Sequence, residues 1–147
     1  MKNSACFIGD KKIKFTELWK KADAAVYELI KNGVTRFIFG ESSEFGNLCL
    51  YIAGIYKEKN PEIERIKFKI SPDETENYIL GISGKYDKKI LFRFTDGSEQ
   101  SEEIKRYIAM VYESEYCVFY YGDKPSGEIL AAYKYALDKN KKIVNLK

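Results

Sequence analysis

The sequence predicts a single three-layer α/β domain with an open, mostly parallel sheet and helices on both faces. Short apolar segments alternate with longer segments of helical period along all 147 residues, with no interval long enough for a linker between domains. Right-handed crossovers between successive strands make such a sheet mostly parallel. The segments around Phe37 and Val118 are almost continuously apolar, which is typical of strands covered by helices on both faces.

Residues 1–70 predict three strands and two helices. The strands are short runs rich in β-branched and aromatic residues, and they cover residues 4–8, 35–39 and 66–70. The first helix is predicted from Phe15 to Asn32, and Gly33 follows it where a left-handed C-terminal cap is expected. The second helix is predicted from about Glu44 to Lys59, because Asn60-Pro61 ends the helical pattern there.

The apolar residues of both helices recur at three- and four-residue spacing, so each helix is expected to have an apolar face. In the first helix these residues are Leu18, Trp19, Ala22, Ala25, Val26, Leu29 and Ile30. In the second helix they are Leu48, Tyr51, Ile52, Ile55 and Tyr56.

The pattern is least informative over residues 71–98. A short helix opening over 73–78 and a loop with one helical turn are equally compatible with it, because Gly81 and Gly84 interrupt the helical period. The remaining strands are predicted over 90–94, 116–121 and 143–146, and the remaining helices over 101–112 and 125–139. The expected buried stripe of the third helix consists of Ile104, Tyr107, Ile108 and Val111.

The chain contains no histidine, which excludes several familiar kinds of catalytic and metal site. Ser-His and Cys-His nucleophiles, imidazole bases and nearly all mixed zinc sites need that side chain. The three cysteines, Cys6, Cys49 and Cys117, lie far apart in sequence and each falls within an apolar segment. They are expected to be buried, reduced thiols and not a disulfide framework. We therefore expect no metal site and no cofactor.

The net charge of +3, from 25 basic and 22 acidic residues, gives no strong signal for nucleic-acid binding. The longest apolar runs, such as residues 116–121, are far shorter than the roughly 20 residues that span a bilayer. The N-terminal residues show no signal-peptide pattern. We therefore expect a cytoplasmic protein that does not bind a membrane.

Three of the predicted strand-to-helix junctions carry glycine: Gly9-Asp10, residues 40–46 and residues 122–128. They lie where open α/β sheets bind ligands, outside the carboxyl ends of the strands. Glycine lets a ligand approach the backbone, and the N–H groups of the following helix favour an anion. Glycine and serine also suit turns and helix caps without any ligand.

The chain has no G-x-G-x-x-G segment after its first strand and no Walker lysine, which argues against a dinucleotide oxidoreductase or a P-loop NTPase.

The same junctions carry a resemblance to a known family. Cys6-Phe7-Ile8-Gly9 resembles the C-F-T-G opening of the SLOG superfamily, a Rossmann-like group named for the Smf/DprA and Lonely Guy proteins. Residues 37–47, FIFGESSEFGN, resemble its F-I-S-G-G-A-x-G-F-D loop. Residues 120–128, YYGDKPSGE, resemble its V-Y-D-G-x-x-S-G-G-T loop. The match covers nearly the whole chain except about residues 71–98. The chain is similar to a small, stand-alone bacterial member of this family.

The resemblance implies a Rossmann-like domain that binds a nucleotide or a nucleotide-derived ligand at these loops. The ligand-binding residues expected on these grounds are Gly9, Asp10, Gly40, Glu41, Ser42, Ser43, Tyr121, Gly122, Ser126, Gly127 and Glu128. Some branches of the family cleave N-glycosidic bonds, and others only bind or sense. Here Glu41 and Glu128 replace the second glycine of two loops, and Ala131 stands near the position where some relatives keep a glutamate.

Three functions remain open at this point. The first is binding or sensing of a nucleotide-derived small molecule without catalysis, with a homo-oligomer as one form of assembly. The second is a nucleoside or nucleotide N-glycosidic hydrolase or ribosyltransferase-like enzyme, with Glu41 and Glu128 as its catalytic candidates. The third is a vestigial scaffold whose own side chains fill the pocket and which acts through protein contacts. Tyr121 either stacks on a ligand or closes the edge of the core.

Overall fold

The computed structural model describes residues 1–40, 43–70, 78–83, 86–92 and 101–146. Seven strands and four helices follow one another along these residues. In chain order they are β1 (Ser4–Gly9), α1 (Phe15–Lys31), β2 (Arg36–Phe39), α2 (Glu44–Lys57), β3 (Glu64–Ile70), β4 (Tyr78–Ser83), β5 (Tyr86–Phe92), α3 (Glu102–Glu113), β6 (Tyr116–Tyr120), α4 (Gly127–Asp138) and β7 (Lys142–Asn145).

The strands form one sheet in the order β4-β5-β3-β2-β1-β6-β7. The six strands from β5 to β7 in this order pair in parallel, and β4 pairs antiparallel with β5 at the edge. Successive side chains of a strand point to opposite faces of a sheet. Phe7 of β1 therefore packs with α1 and α2 on one face, and Ile8 packs with α3 and α4 on the other. The predicted fold class, a mostly parallel sheet with helices on both faces, is confirmed.

The order of the strands reverses beside β1. From β1 the chain moves outward through β2, β3 and β5, and α3 then returns it to β6 on the other side of β1. The crevice between the carboxyl ends of β1 and β6 is therefore the switch point, the place where open α/β sheets bind ligands. Among the described residues, no helix is both long enough and apolar enough to cross a membrane.

Local sequence signals account for most helix ends. Gly33 has a φ of 90°, the left-handed conformation predicted for the C-terminal cap of α1. The helices α2, α3 and α4 each begin after a serine whose hydroxyl oxygen accepts a hydrogen bond from the N–H three residues later. These caps are Ser43, Ser101 and Ser126. Because Ser126 is the cap, α4 begins two residues later than the predicted start at Pro125.

The structure differs from the sequence prediction around β4. Residues 78–83 form a strand where the pattern allowed only a helix opening or a loop, and β5 begins at Tyr86, before the predicted start of its strand. The pairing of β4 with β5 shifts register on both sides of Gly81. As an antiparallel edge strand, β4 is hydrogen-bonded to one neighbouring strand, β5. Pairing of this kind does not require a regular apolar pattern in the sequence. Residues 73–77 of the predicted helix opening, and 93–94 of the predicted strand, lie outside the described residues.

The carboxylate of Asp87 on β5 connects three elements. It lies 2.8 Å from Nζ of Lys57 at the end of α2, and it accepts hydrogen bonds from the backbone N–H and Nε of Arg65 on β3 at 2.8 and 3.2 Å. Burial alone raises the pKa of this carboxyl, but the hydrogen bonds from Arg65 and Lys57 outweigh it and lower the pKa to about 2.

We expect Asp87 to stabilise the fold at neutral pH and to lose this effect in acid. Because its pKa is lower in the folded state, its contribution is complete above the ordinary carboxyl pKa and disappears as pH falls toward the folded value. Asp87→Asn should lower the free energy of unfolding by about 1–2 kcal/mol near neutral pH, since solvent screens part of the interaction. Near pH 2 the difference from the wild type should have shrunk to a small part of its value at neutral pH. Urea denaturation measures both, and exposed Asp138→Asn is the control, whose difference from the wild type should stay small throughout.

All three cysteines are free and fully buried, as the sequence predicts. Cys6 and Cys117 are register partners on the neighbouring strands β1 and β6, and Cys49 lies on α2. Burial raises the pKa of the Cys6 thiol, and its hydrogen bond with Cys117 raises the pKa further. Burial also raises the pKa of the Cys49 thiol well above its ordinary value. Neither thiol forms the reactive thiolate at neutral pH.

We expect an aromatic disulfide reagent to modify these thiols only through opening of the fold. Labelling should be at least about a thousandfold slower in buffer than in denaturant, because it follows the equilibrium population of opened states. Absorbance of the released thiolate measures the rate. Two or more thiols labelled at the denatured rate in the native protein would contradict the assignment of β1, β6 and α2 to the core.

Candidate functional site

A crevice of about 380 Å³ opens at the switch point, on the face of the sheet that carries α3 and α4. Its floor is the end of β1, and its walls are the first turns of α3 and α4 together with the loops after β1 and β6. The lining residues are Gly9, Asp10, Lys11, Lys12, Glu103, Tyr107, Lys124, Ser126, Glu128 and Ile129. Four predicted ligand-binding residues, Gly9, Asp10, Ser126 and Glu128, are among them.

The first turn of α4 gives the crevice an anion-binding character. The hydroxyl oxygen of Ser126 accepts a hydrogen bond from the N–H of Ile129 at 3.2 Å. The N–H groups of Gly127 and Glu128 precede it in the turn, at the positive end of the helix dipole. A Cβ placed at Gly127 would have no neighbouring atom within 4 Å, and this exposed residue is not itself among the lining residues. The lysines of the crevice, Lys11, Lys12 and Lys124, are exposed.

A tyrosine and a glutamate of α3 form the opposite wall. The hydroxyl of buried Tyr107 donates a hydrogen bond to Oε1 of Glu103 at 3.0 Å, and Lys11 Nζ lies 3.9 Å from the other carboxylate oxygen. Burial raises the pKa of Tyr107, and the negative charges of Glu103 and Glu128 raise it further, while Arg106 lowers it. Tyr107 is therefore a neutral phenol at physiological pH.

The glycine at the first junction serves packing. A Cβ at Gly9 would lie 2.4 Å from the ring of Phe45 and 2.7 Å from the carbonyl oxygen of Tyr120. Phe45, in the first turn of α2, is fully buried, and its ring packs at 5.8 Å from that of Tyr120. Asp10 is also engaged within the protein, because its Oδ2 accepts a hydrogen bond from the N–H of Gly122 at 2.8 Å. A protein side chain thus fills the α2 side of this junction.

The second junction is filled as well. A Cβ at Gly40 would lie 3.0 Å from both Nε of Arg106 and the sulfur of Met110, two buried side chains of α3. The burial of Arg106 was not predicted, because the helical pattern assigned Ile104 and Ile108 to the buried stripe of α3. These two side chains are in fact half-buried. Ser43 caps α2 through its hydrogen bond with Gly46. The remaining predicted residues of this loop, Glu41 and Ser42, lie outside the described residues.

Tyr121 packs on the face of the sheet that carries α3 and α4, but it does not line the open crevice. Its ring meets that of Tyr133 of α4 edge-on, with centroids 6.2 Å apart at an angle of 89°. Tyr121 and Gly122 line a second, more open depression of about 490 Å³, together with residues of the loop after β1 and the start of α1. Asp10 and Lys12 line both spaces. Within the described part of the chain, no group of three or more acidic or cysteine side chains is placed to hold a metal ion.

The different surroundings of two junction glycines give a stability test. Gly9→Ala should lower the free energy of unfolding by about 3 kcal/mol, because its Cβ overlaps Phe45 and a backbone carbonyl. Gly127→Ala should leave it unchanged or raise it by up to about 1 kcal/mol, because its Cβ meets nothing and alanine restricts the unfolded chain. Urea denaturation of the two variants measures both changes. Equal stability would show that Phe45 does not occupy the space above Gly9.

Neither a comparison with protein-family models nor a comparison with curated proteins finds a match for this chain. The chemistry of the crevice therefore supplies the argument for function.

Proposed function

We propose that this chain binds a nucleotide or a nucleotide-derived small molecule in the crevice between the ends of β1 and β6, without cleaving it. The observation that carries the proposal is the first turn of α4, where Ser126, Glu128 and Ile129 line a crevice located at the switch point of the sheet. Helix N-termini at this location are well suited to phosphate groups.

The charges of the lining residues support an anionic ligand. Glu103 is engaged by Tyr107 and Lys11, and Asp10 by the backbone of the β6–α4 loop. These contacts offset part of the negative charge in the crevice. In the described lining, the three lysines balance the three carboxylates in formal charge. The dipole of α4 then tips the balance toward a phosphate placed near the lysines and away from Glu128.

The carboxylates suit the neutral part of such a ligand. A carboxylate about 4 Å from a phosphate repels it by about 1 kcal/mol in water, and by more in a drier crevice. Glu128 therefore favours a ligand that places hydroxyl or amine hydrogens beside it and its phosphate elsewhere. The diol of a ribose and the amine of a base are donors of this kind. A nucleotide carries both chemical parts.

Glycosidic cleavage requires two available carboxyl groups, and in the described lining two of the three are engaged by neighbouring groups. Such cleavage usually employs one carboxyl group as nucleophile or base and another as acid. In the described lining, Glu103 is held by Tyr107 and Lys11, and Asp10 by Gly122, which leaves only Glu128. Tyr107 is a neutral phenol whose hydroxyl already donates a hydrogen bond to Glu103. We therefore favour binding over catalysis.

Specific observations also support the two other functions. The hydrolase alternative is supported by the presence of Glu128, Glu103 and Tyr107 in the lining of one crevice. A shift of the Glu103 side chain away from Tyr107 would make a second carboxylate available. The scaffold alternative gains from Phe45 and Arg106, which fill the first and second junctions. The open first turn of α4 argues against complete filling, so binding remains the proposal.

Isothermal titration calorimetry with a panel of nucleoside monophosphates, nucleoside diphosphates and inorganic phosphate tests the proposal. Lys124→Gln should weaken binding of the best compound by about tenfold, because it removes one charged contact. Gly127→Val should weaken it more, since the branched side chain covers the open backbone. Lys134→Gln, which removes an exposed lysine from the middle of α4, is the matched control and should bind normally.

Chromatography of free base after long incubation with the same compounds separates binding from cleavage. No base should be released. Turnover that disappears in Glu128→Gln or Glu41→Gln would replace the binding proposal with the hydrolase alternative. Absence of heat with every compound would favour the scaffold alternative.

A further inference from the structure

The helix α2 is apolar around almost its whole circumference. Its only charged residues are Glu44 and Lys57, at its first and last positions. One side packs into the core through residues that include Phe45, Leu48 and Ile52. The other side includes Tyr51 and Ile55, which are 63% and 46% exposed. Helices that are apolar on all sides are normally buried on all sides, so the outer face of α2 lacks the cover that its composition indicates.

The neighbouring helix α1 extends this exposed apolar surface. Phe15, Trp19 and Tyr27 are 45%, 38% and 51% exposed, and the ring of Trp19 lies 5.9 Å from that of Tyr51. We call Phe15, Trp19, Tyr27, Tyr51 and Ile55 the aromatic patch. It contains five of the nine large hydrophobic side chains that are exposed in the described residues, although α1 and α2 are only two of the four helices. This concentration is unlike the scattered apolar residues of an ordinary surface.

A groove of about 320 Å³ adjoins the patch along α2. Tyr51 and Ile55 form one wall, and Arg65 of β3 lies beneath Gly54, where a Cβ would be 3.0 Å from its guanidinium. Glu58 stands at the end of the groove. The surface therefore offers both protruding aromatic rings and a recess next to them.

We propose that the aromatic patch is the contact surface of a symmetric dimer of this chain. The exposed parts of its four aromatic side chains amount to roughly 300–500 Å² per copy, from the area that each such side chain buries when covered. A stable interface of standard size buries about 800 Å² per partner, of which about 65% is apolar in homodimers. The aromatic side chains of the patch thus supply more than half of the roughly 520 Å² of apolar area that one copy contributes to such an interface.

The chemistry of the surface favours a second copy over a charged partner. In a two-fold contact the same patch meets itself, so like charges near the axis would repel. The patch itself is uncharged, and the adjoining groove carries one residue of each sign, Glu58 and Arg65. Arg65 is already paired with Asp87, and Asp23, between Trp19 and Tyr27 in α1, accepts a hydrogen bond from Tyr56. Each copy can insert its exposed Tyr51 ring into the recess of the other.

Analytical ultracentrifugation of the wild type and two variants tests this proposal. Tyr51→Lys places a charge in the centre of the patch and should weaken the dimer by about 30-fold or more, the effect expected of an interface hot spot. Tyr112→Lys is the matched control, because Tyr112 lies on α3 and is 62% exposed, almost the same as Tyr51. It should dimerise as the wild type does. Both side chains are exposed, so both variants should fold, which circular dichroism verifies.

The fluorescence of Trp19 supplies an independent signal, since it is the only tryptophan in the chain. Its emission should shift to longer wavelength when the wild-type dimer dissociates on dilution. A wild type that stays monomeric at high concentration would overturn the proposal. A dimer unaffected by Tyr51→Lys, or one that dissociates with no change in Trp19 emission, would also overturn it.

Discussion

The packing of Phe45 on Gly9 is the contact on which the geometry of the candidate site depends. It seats the first turn of α2 on the end of β1, where only a glycine leaves room for the ring. From this turn the N–H of Glu44 donates to the carbonyl of Lys11 at 3.0 Å, and the Glu44 carboxylate accepts from the N–H of Ile13 at 2.8 Å. The loop after β1 is therefore held by α2. Asp10 of that loop in turn accepts the hydrogen bond from Gly122, which fixes the loop before α4.

This arrangement explains why only one of three similar junctions is open. Glycine at the end of a strand has two possible uses, close approach of a ligand and close approach of a neighbouring side chain. At Gly9 and Gly40 the neighbouring atoms are those of Phe45 and Arg106, and at Gly127 there are none within 4 Å. A side chain that fills one side of a junction excludes a ligand from that side but also supports the loop. The two filled junctions thus support the walls of the third.

Most of the fold could be predicted from the sequence because its signals are local. The apolar periodicity of α1, the left-handed Gly33 after it and the caps of the later helices all lie within a few residues of the element they define. The strand β4 was not predicted, because it depends on tertiary pairing with β5 and this pairing is irregular around Gly81. The same limit applies to the site. Glu103 and Tyr107 lie about a hundred residues from Gly9 in sequence, and only the return of α3 across β1 brings them beside it.

The helical patterns also show where periodicity alone misplaces side chains. Trp19, Tyr51 and Ile55 belong to the predicted apolar faces of α1 and α2, yet they lie on the outer surface of the single chain. In α3, Arg106 and Met110 are buried while Ile104 and Ile108 are half-buried. A three- and four-residue spacing identifies an apolar stripe, but it does not say whether the stripe meets the sheet of its own chain or another surface. For α2, contact with a second copy would satisfy both the pattern and the structure.

The locations of the two surfaces make ligand binding and assembly compatible. The crevice lies on the face of the sheet that carries α3 and α4, and the aromatic patch lies on the outside of α1 and α2, across the sheet. A dimer formed through the patch leaves the crevice open to solvent in both copies. The helix α2 nevertheless belongs to both regions, because its outer side carries Tyr51 and Ile55 while its first turn holds the loop of Asp10. Covering its outer side would therefore restrict the motion of the same helix that supports the floor of the crevice.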